Sequence, residues 1–411
     1  LSLEFNKILD QIAKMSSMIE ALDFDARERL QLALRRYDNL PDINAIQERI
    51  ELVRQSDISG YRGAVPLDGD VAEPMNAIFA TPQLPPSATI LAADGSQVYP
   101  NEQHPVHYYL INIGLYIYHH GADLLPEQST IPQLAYHKSD VHDRGRVVSN
   151  RTVDARRTLN EMQALSDLAW ERRGAARPLV ALYDNRLLYW VSSDVTGADE
   201  IVRQYQDALK KLHDSQATLA GYLDRPVSRL VMRLLYLMSL RDAAEIKEKQ
   251  LELQTAGDLS GLTDRQLFDT VLRPGERSAL MVQNSPRNLS FKEFGDDYEI
   301  AFFYLKVSSG YRTSIARVDV PMWVARDARA IDELHALLVS QASMQGRNPY
   351  PYALTRADEI AVVSSTDKRK LDEMINIELR KKHIEPYRGS AKDFGKVLAR
   401  SSKRRMERRR N

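Results

Sequence analysis

Cysteine is absent from the 411 residues. That excludes disulfides, zinc–thiolate sites, iron–sulfur clusters and thiol nucleophiles, and it suits a reducing cytosol. A GxxxxGK[ST] stretch is also missing, so the chain has no Walker A loop and any ATP-driven movement must come from a partner. The longest apolar run, Val106 to Tyr118, is interrupted by His107, Asn112 and Gly114. It is too short to span a bilayer, and no secretory signal precedes it, so a cytoplasmic protein without a membrane segment is expected. The chain opens on Leu1, and a few preceding residues are expected to be missing. Net charge is zero, but the zero conceals a segregation. From Arg380 to Asn411, 13 Lys/Arg stand against Glu385, Asp393 and Glu407, a local +10 balanced by −10 elsewhere. The densest part, with Lys403, Arg404, Arg405, Arg408, Arg409 and Arg410, suits phosphate neutralisation and counterion release, which predicts a nucleic-acid partner. A solvated tail that only aids solubility is the alternative.

The length exceeds one ordinary domain, and 43% hydrophobic residues are enough for a sizeable core. Phe5, Ile8, Leu9, Ile12, Met15 and Ile19 recur at helical spacing, and residues 1–56 read as a helical region for dimer or partner contact. Residues 57–88, rich in Gly and Pro, form a connector. "TILAAD", "VHYYLINIGLYIYHHG" and "RPLVALYDN" read as strands, with a helix over 151–173 between the second and third. Residues 199–222, 227–255 and 263–272 read as helices, a helical insertion at about 199–272. "YEIAFFYLKVSSGYRTSIARVDVP" reads as a hairpin turning at Ser308-Ser309-Gly310, followed by helices over 326–343 and 355–382. The mixture predicts an α/β or α+β class, with a main domain over 89–378 and a basic tail over 379–411.

Two buried strands end in an aspartate, Asp94 and Asp184, and α/β sheets place ligand sites along that edge. Between them Glu161 precedes Leu165 and Leu168 by four and seven residues, which turns it toward the apolar face of its helix. An inward carboxylate is costly unless a positive charge meets it, and a divalent metal supplies one. Mn²⁺ and Mg²⁺ favour oxygen ligands, and a metal pair ~3.5–4 Å apart suits phosphodiester cleavage. Strand-Asp, helix-Glu, strand-Asp and a late helical acid, here Asp358, is the ligand order of RNase H-like nucleases. Each acid also has a bland reading. Asp94 before Gly95-Ser96 and Asp184 before Asn185 are good turn residues, and Glu161 can pair with Arg157 one turn earlier. Asp154, a heptad upstream on the same face, is the spare candidate.

"LAADGSQVYP", the inward Glu161, "LVALYDNRLLYW", "GYLDRPVSRLVMRLLYL" and "NPYPYALTRADEIAVVS" together resemble the NurA nucleases, in order from about residue 88 to 367. The resemblance implies an RNase H-like mixed sheet flanked by helices, with helical N-terminal and central insertions. It implies a manganese-dependent 5′-to-3′ exonuclease and single-strand endonuclease, with Mg²⁺ the other candidate ion. It also implies a ring-like homodimer docked on a HerA-type hexameric ATPase during DNA end resection for recombination and double-strand break repair. By the same resemblance Asp94, Glu161 and Asp184 match the metal-binding acids, and Tyr350 matches an active-site tyrosine. Two departures stand out. The family's aspartate-glycine-serine after the later strand is here Asp184-Asn185-Arg186, where Asn is expected to tolerate a left-handed turn. A family histidine eight residues after the tyrosine is replaced by Asp358. This residue reads as a fourth carboxylate, with a metal preference or pH optimum shifted accordingly.

His104, His107, His119 and His120 flank a strand and are not expected to converge on zinc, and Tyr108, Tyr109, Tyr116 and Tyr118 read as core rather than as a base-stacking platform. The rival to a nuclease is a catalytically weak, dimeric DNA-binding adaptor of a translocase. Such an adaptor has no need of Asp94, Glu161 and Asp184 together.

Overall fold

The structure, a computed structural model, describes residues 5–55, 61–104 and 106–384. Its centre is a mixed sheet of 11 strands. Five of them make the core of the sheet: β1 (Ala88–Val98), β2 (Tyr109–His120), β3 (Glu127–Ala135), β4 (Leu179–Tyr183) and β5 (Thr218–Asp224). They lie in the order β3-β2-β1-β4-β5, with β1, β2 and β3 antiparallel and β4 and β5 parallel to β1. Beyond β5 the hairpin β6 (Ile300–Ser308) and β7 (Thr313–Pro321) joins through β7, and short strands at Met281–Gln283 and Ala64–Pro66 continue that edge. The hairpin turns where expected, with Ser308 opposite Thr313 and Gly310 at φ +83°, a conformation that costs an L side chain.

Nine helices matter to the argument: α1 (Leu9–Asp38), α2 (Ile43–Gln55), α3 (Asn150–Glu171), α4 (Ala198–Asp214), α5 (Leu230–Ser239), α6 (Asp264–Val271), α7 (Ala328–Ser343), α8 (Tyr352–Ala361) and α9 (Ser365–Lys381). Strand alternation sorts the core between them. Leu91, Ala93, Ala181 and Tyr183 face α3 and α4, where Leu165 and Leu209 meet them. Ile90, Ala92, Val180 and Leu182 face the other way, onto Leu334 of α7 and Leu354 and Ala357 of α8. Toward the far end, Phe302 and Tyr304 meet α1, α5 and α6, and the Phe268 ring stacks on Tyr304 with centroids 4.5 Å apart. The N-terminal and central helices therefore share one core.

Four readings from sequence are corrected. Residues 199–222 are not one helix: α4 stops at Asp214 and β5 begins at Thr218. A parallel strand buried on both faces loses the polar alternation that marks most strands, so "TLAGYL" is compatible with a helix. Residues 227–255 break into α5 and two one-turn helices, the first of them capped by Asp242, which accepts from the Glu245 N–H. The single helix read over 355–382 is α8 and α9, parted at Val362–Ser364, where Ser364 and Asp367 form a capping box. The edge strand β3 was not foreseen, because it is exposed along nearly its whole length and carries Pro132, which an edge tolerates.

Candidate active site

Asp94 does not stand at the exit of its strand, as the sequence suggested. β1 runs on to Val98 against β2, and it is the parallel neighbour that stops. β4 ends at Tyr183, in register with Ala93, so Asp94 and Asp184 are the next positions on two adjacent strands. Across β1's other edge Asp94 lies opposite Gly114 of β2. A Cβ at Gly114 would stand 2.6 Å from both the Ala357 carbonyl oxygen and the Ala361 nitrogen. Glycine there lets α8 lie directly on the sheet, which brings Asp358 within hydrogen-bonding reach of Asp94.

The three residues of the Asp94-Gly95-Ser96 box have separate tasks. Asp94 supplies a carboxylate, and its Oδ1 accepts from the Gly95 N–H at 2.8 Å. Gly95 leaves a gap: a Cβ there would lie 2.6 Å from Glu161 Oε1 and 2.9 Å from Arg157 Cγ. Ser96 fixes the end of α8, its hydroxyl donating to the Ala361 carbonyl at 2.5 Å and accepting from the Val363 N–H at 3.0 Å. Asn112 of β2 donates to the same carbonyl.

Asp184 is held by the Tyr350 hydroxyl, which donates to its Oδ1, and the Tyr350 ring meets Tyr222 edge-on at 5.2 Å. Burial, followed by the Asp184 charge, raises the Tyr350 phenol far above its ordinary range. The turn after Asp184 forms without a left-handed residue at Asn185, contrary to expectation. Instead Asn185 Oδ1 accepts from the Arg186 N–H, and Gly221 of β5 makes room for the Asn185 carbonyl. Buried Asp319 accepts from the Leu187 N–H and from Arg317 Nε, which ties the same turn to β7.

A cleft of about 640 Å³ opens here, lined by Asp184, Asp224, Asp358 and Tyr350, with Arg265 and Arg312 among the other walls. Asp224, at the end of β5, was missed from the sequence. Its signal was present, since "GYLD" closes on an aspartate as "ALYD" does, but the helical reading of 199–222 hid it.

Glu161 arrives from α3 on the opposite face and meets β1 at Gly95. It is 4% exposed. Tyr183 donates to its Oε2 at 3.2 Å, and Arg157 Nε lies 3.1 Å from Oε1, so both the inward direction and the Arg157 pairing hold. The Arg157 N–H is not aimed along that line, which leaves Oε1 and Nε buried without a hydrogen-bond partner. Burial pushes the Glu161 carboxyl up to about 8 despite Arg157, with Asp94 and Asp184 adding to the rise. Burial also pushes Asp94 up to about 7, helped by Asp184 and Asp358, and it raises Asp184 against the Tyr350 hydrogen bond. Asp154, the spare candidate, is engaged elsewhere, accepting from Tyr99 at 2.6 Å and Gln97 at 3.2 Å.

Asp94, Asp184, Asp358 and Tyr350 thus gather at one sheet end, with Glu161 behind the strand and not in the cleft. Among the described residues no three His, Asp or Glu side chains are placed to hold one metal ion. The donor chemistry still fits a hard divalent cation: the candidate donors are all oxygen, Glu161 Oε1 has no hydrogen-bond partner beyond its ion pair with Arg157, and crowding resists the charged form. The tail residues Lys403, Arg404, Arg405, Arg408, Arg409 and Arg410 lie outside the described residues.

A family model of the NurA domain matches residues 88–363, more than half of the chain. The chain belongs to the NurA nuclease family. The NurA nuclease from Sulfolobus solfataricus, known from a crystal structure, superposes with a TM-score of 0.51 at 13% identity, over 93% of this chain and 99% of that one. At that identity the likeness speaks for the fold alone. No curated protein sequence matches. The NurA match begins at the first residue of β1 and ends at Val363, where Ser96 closes α8, so it encloses Asp94, Glu161, Asp184, Asp224 and Asp358. The histidines flanking β2 have local partners: His104 meets the Val106 carbonyl, His107 meets His142, His119 meets Glu127 and His120 meets the Pro85 carbonyl. Tyr109 and Tyr116 are buried, and Tyr108 donates to Asp372. No helix among the described residues is long and apolar enough to cross a membrane.

Proposed function

We propose that this NurA family nuclease hydrolyses DNA phosphodiesters with Mn²⁺ or Mg²⁺ held by Asp94, Asp184, Asp358 and Glu161, Glu161 reaching the strand at Gly95. The observation that carries the reading is the gathering of Asp94, Asp184 and Asp358 at one sheet end, close enough for neighbouring charges to add to the rise that burial gives the Asp94 and Asp184 carboxyls. Bound there as a pair, the ions would orient a water and stabilise the leaving oxygen. The chain's own residues have defined parts. Tyr350 orients Asp184 through its hydroxyl. Asp358 takes the place of the family histidine and offers oxygen instead of imidazole nitrogen. Arg265 and Arg312 line the cleft that Asp184 and Asp358 share, so they would meet substrate phosphates there.

The finer activity, 5′-to-3′ exonuclease and single-strand endonuclease in end resection and repair beside a HerA-type ATPase, rests on family membership. A homodimer or translocase contact through residues 1–56 is supported by Leu9, Ile12 and Met15 of α1 and Phe5 of the 3-10 turn before it, all large apolar side chains left exposed. In this division residues 57–88 connect, 89–378 form the nuclease domain and 379–411 hold DNA by charge. The test is cleavage of end-labelled single- and double-stranded DNA with Mn²⁺, Mg²⁺ or EDTA. Metal-dependent cutting that Asp94→Ala abolishes is expected. An inert wild type alongside an active Asp358→His variant would make the chain an adaptor instead.

A further inference from the structure

Beside the acids the surface changes sign. Arg186 follows Asp184 by two residues and is exposed. Arg287, in the first turn of the helix Pro286–Phe294, lays its guanidinium over the Trp190 ring, 3.8 Å from the centroid. Trp190 is 52% exposed, unusual for so large an apolar ring. Arg287 also lies close enough to Arg62 and Arg186 for both to disfavour its charge, an effect added to that of its partial burial. None of these three arginines has a carboxylate partner among the described residues.

Arg62 also lines a second cleft, of about 1020 Å³, with Arg54, Arg233, Lys292 and Arg326. There the pattern differs. Arg54 has Glu51, Lys292 has Glu299 and Arg326 has Asp297 as partner. Arg233 has no carboxylate but donates to the Gln254 and Arg62 carbonyl oxygens, so of these cations Arg62, Arg186 and Arg287 are the ones whose side chains are left without a hydrogen-bond or ion-pair partner among the described residues. Holding three guanidinium groups together without a counter-charge is unfavourable, and a row of anions at strand spacing removes the penalty. The exposed indole narrows the choice of anion. A duplex hides its base faces, whereas an unpaired strand offers a π-face to stack at every residue. An arginine pinned on one side of the ring adds a cation to that platform.

We infer that Arg62, Arg287, Arg186 and Trp190 form a lane for one nucleic-acid strand, with phosphates on the arginines and a base on Trp190, leading to the acid cleft. The strand's destination rests on the nuclease reading above, but its binding does not.

The test uses the full chain in EDTA and fluorescence anisotropy with a labelled oligothymidylate and a duplex of equal length, each titrated at several salt concentrations. Losing two phosphate contacts in an Arg62→Ala/Arg287→Ala variant should flatten the single-strand salt slope by about 1.4, from ~0.7 per contact, and weaken binding at least about tenfold. The double lysine variant, which keeps charge and fold, should retain most of the slope. Trp190→Ala should weaken oligothymidylate binding about fivefold or more and duplex binding much less, and Trp190→Phe should restore it. An unchanged slope in the double alanine variant, or equal losses on both DNAs in Trp190→Ala, would overturn the lane and leave an ordinary surface cation–π pair. Cleavage by wild type with Mn²⁺ is read alongside. Inert wild type with a lane that behaves as described defeats only the nuclease reading, and cutting with a lane that fails defeats only the lane.

Discussion

Asp94 and Glu161 stand where their surroundings resist their charge, and the sign of the pH dependence follows. Folding raises the Asp94 carboxyl to about 7 and the Glu161 carboxyl to about 8, whereas in the unfolded chain both release their protons near pH 4. Between those limits the folded state binds more protons than the unfolded one, so stability falls as pH rises. In EDTA the melting temperature should drop by on the order of a few degrees from pH 5 to pH 8, and the drop should shrink in Glu161→Gln. A melting temperature that rises over this interval would mean the two carboxylates are stabilised by charges other than a metal. Tyr350→Phe removes the donor that orients Asp184, and loss of such a partner typically costs about 10–100-fold in activity or metal affinity. Steady-state kinetics should show that loss in kcat with DNA binding intact.

At the scale of elements, two glycines hold the site together. Gly95→Ala would press a methyl group into Glu161 Oε1 and Arg157 Cγ, so cutting should fall more than tenfold while thermal stability changes modestly. Gly114→Ala meets backbone of α8 rather than a movable side chain, so α8 must lift and carry Asp358 away. Overpacking of this kind costs ~1–3 kcal/mol, measurable by urea denaturation. The same contacts explain what was legible in the sequence. Asp94, Asp184 and Glu161 could be read because each is a charge at the end or on the inner face of an apolar run. Their convergence could not, because it depends on where β4 stops relative to β1 and on how closely α8 approaches Gly114. Asp224 was hidden because β5, buried on both faces, has a helix-compatible apolar pattern. β3 was hidden because an exposed edge strand has no apolar pattern at all.

At the scale of the whole molecule, opposite charges are sorted to different places. The acids are crowded at one sheet end, unpaired arginines lie beside them, and the strongest positive charge is in the last residues of the sequence. Truncation before Lys403 should weaken duplex binding and reduce its salt slope by up to about 0.9 per lost phosphate contact. An unchanged slope would make the tail a solvated segment. The central claim is that Asp94, Asp184 and Asp358, with Glu161 behind them, hold a divalent ion. Its most direct test is an anomalous-scattering map from crystals grown with Mn²⁺. The account predicts a manganese peak ligated by Asp94, Asp184 and Asp358, lost in Asp94→Ala. A fully occupied manganese bound elsewhere, or none beside Asp94 in a protein that cuts DNA, would contradict it.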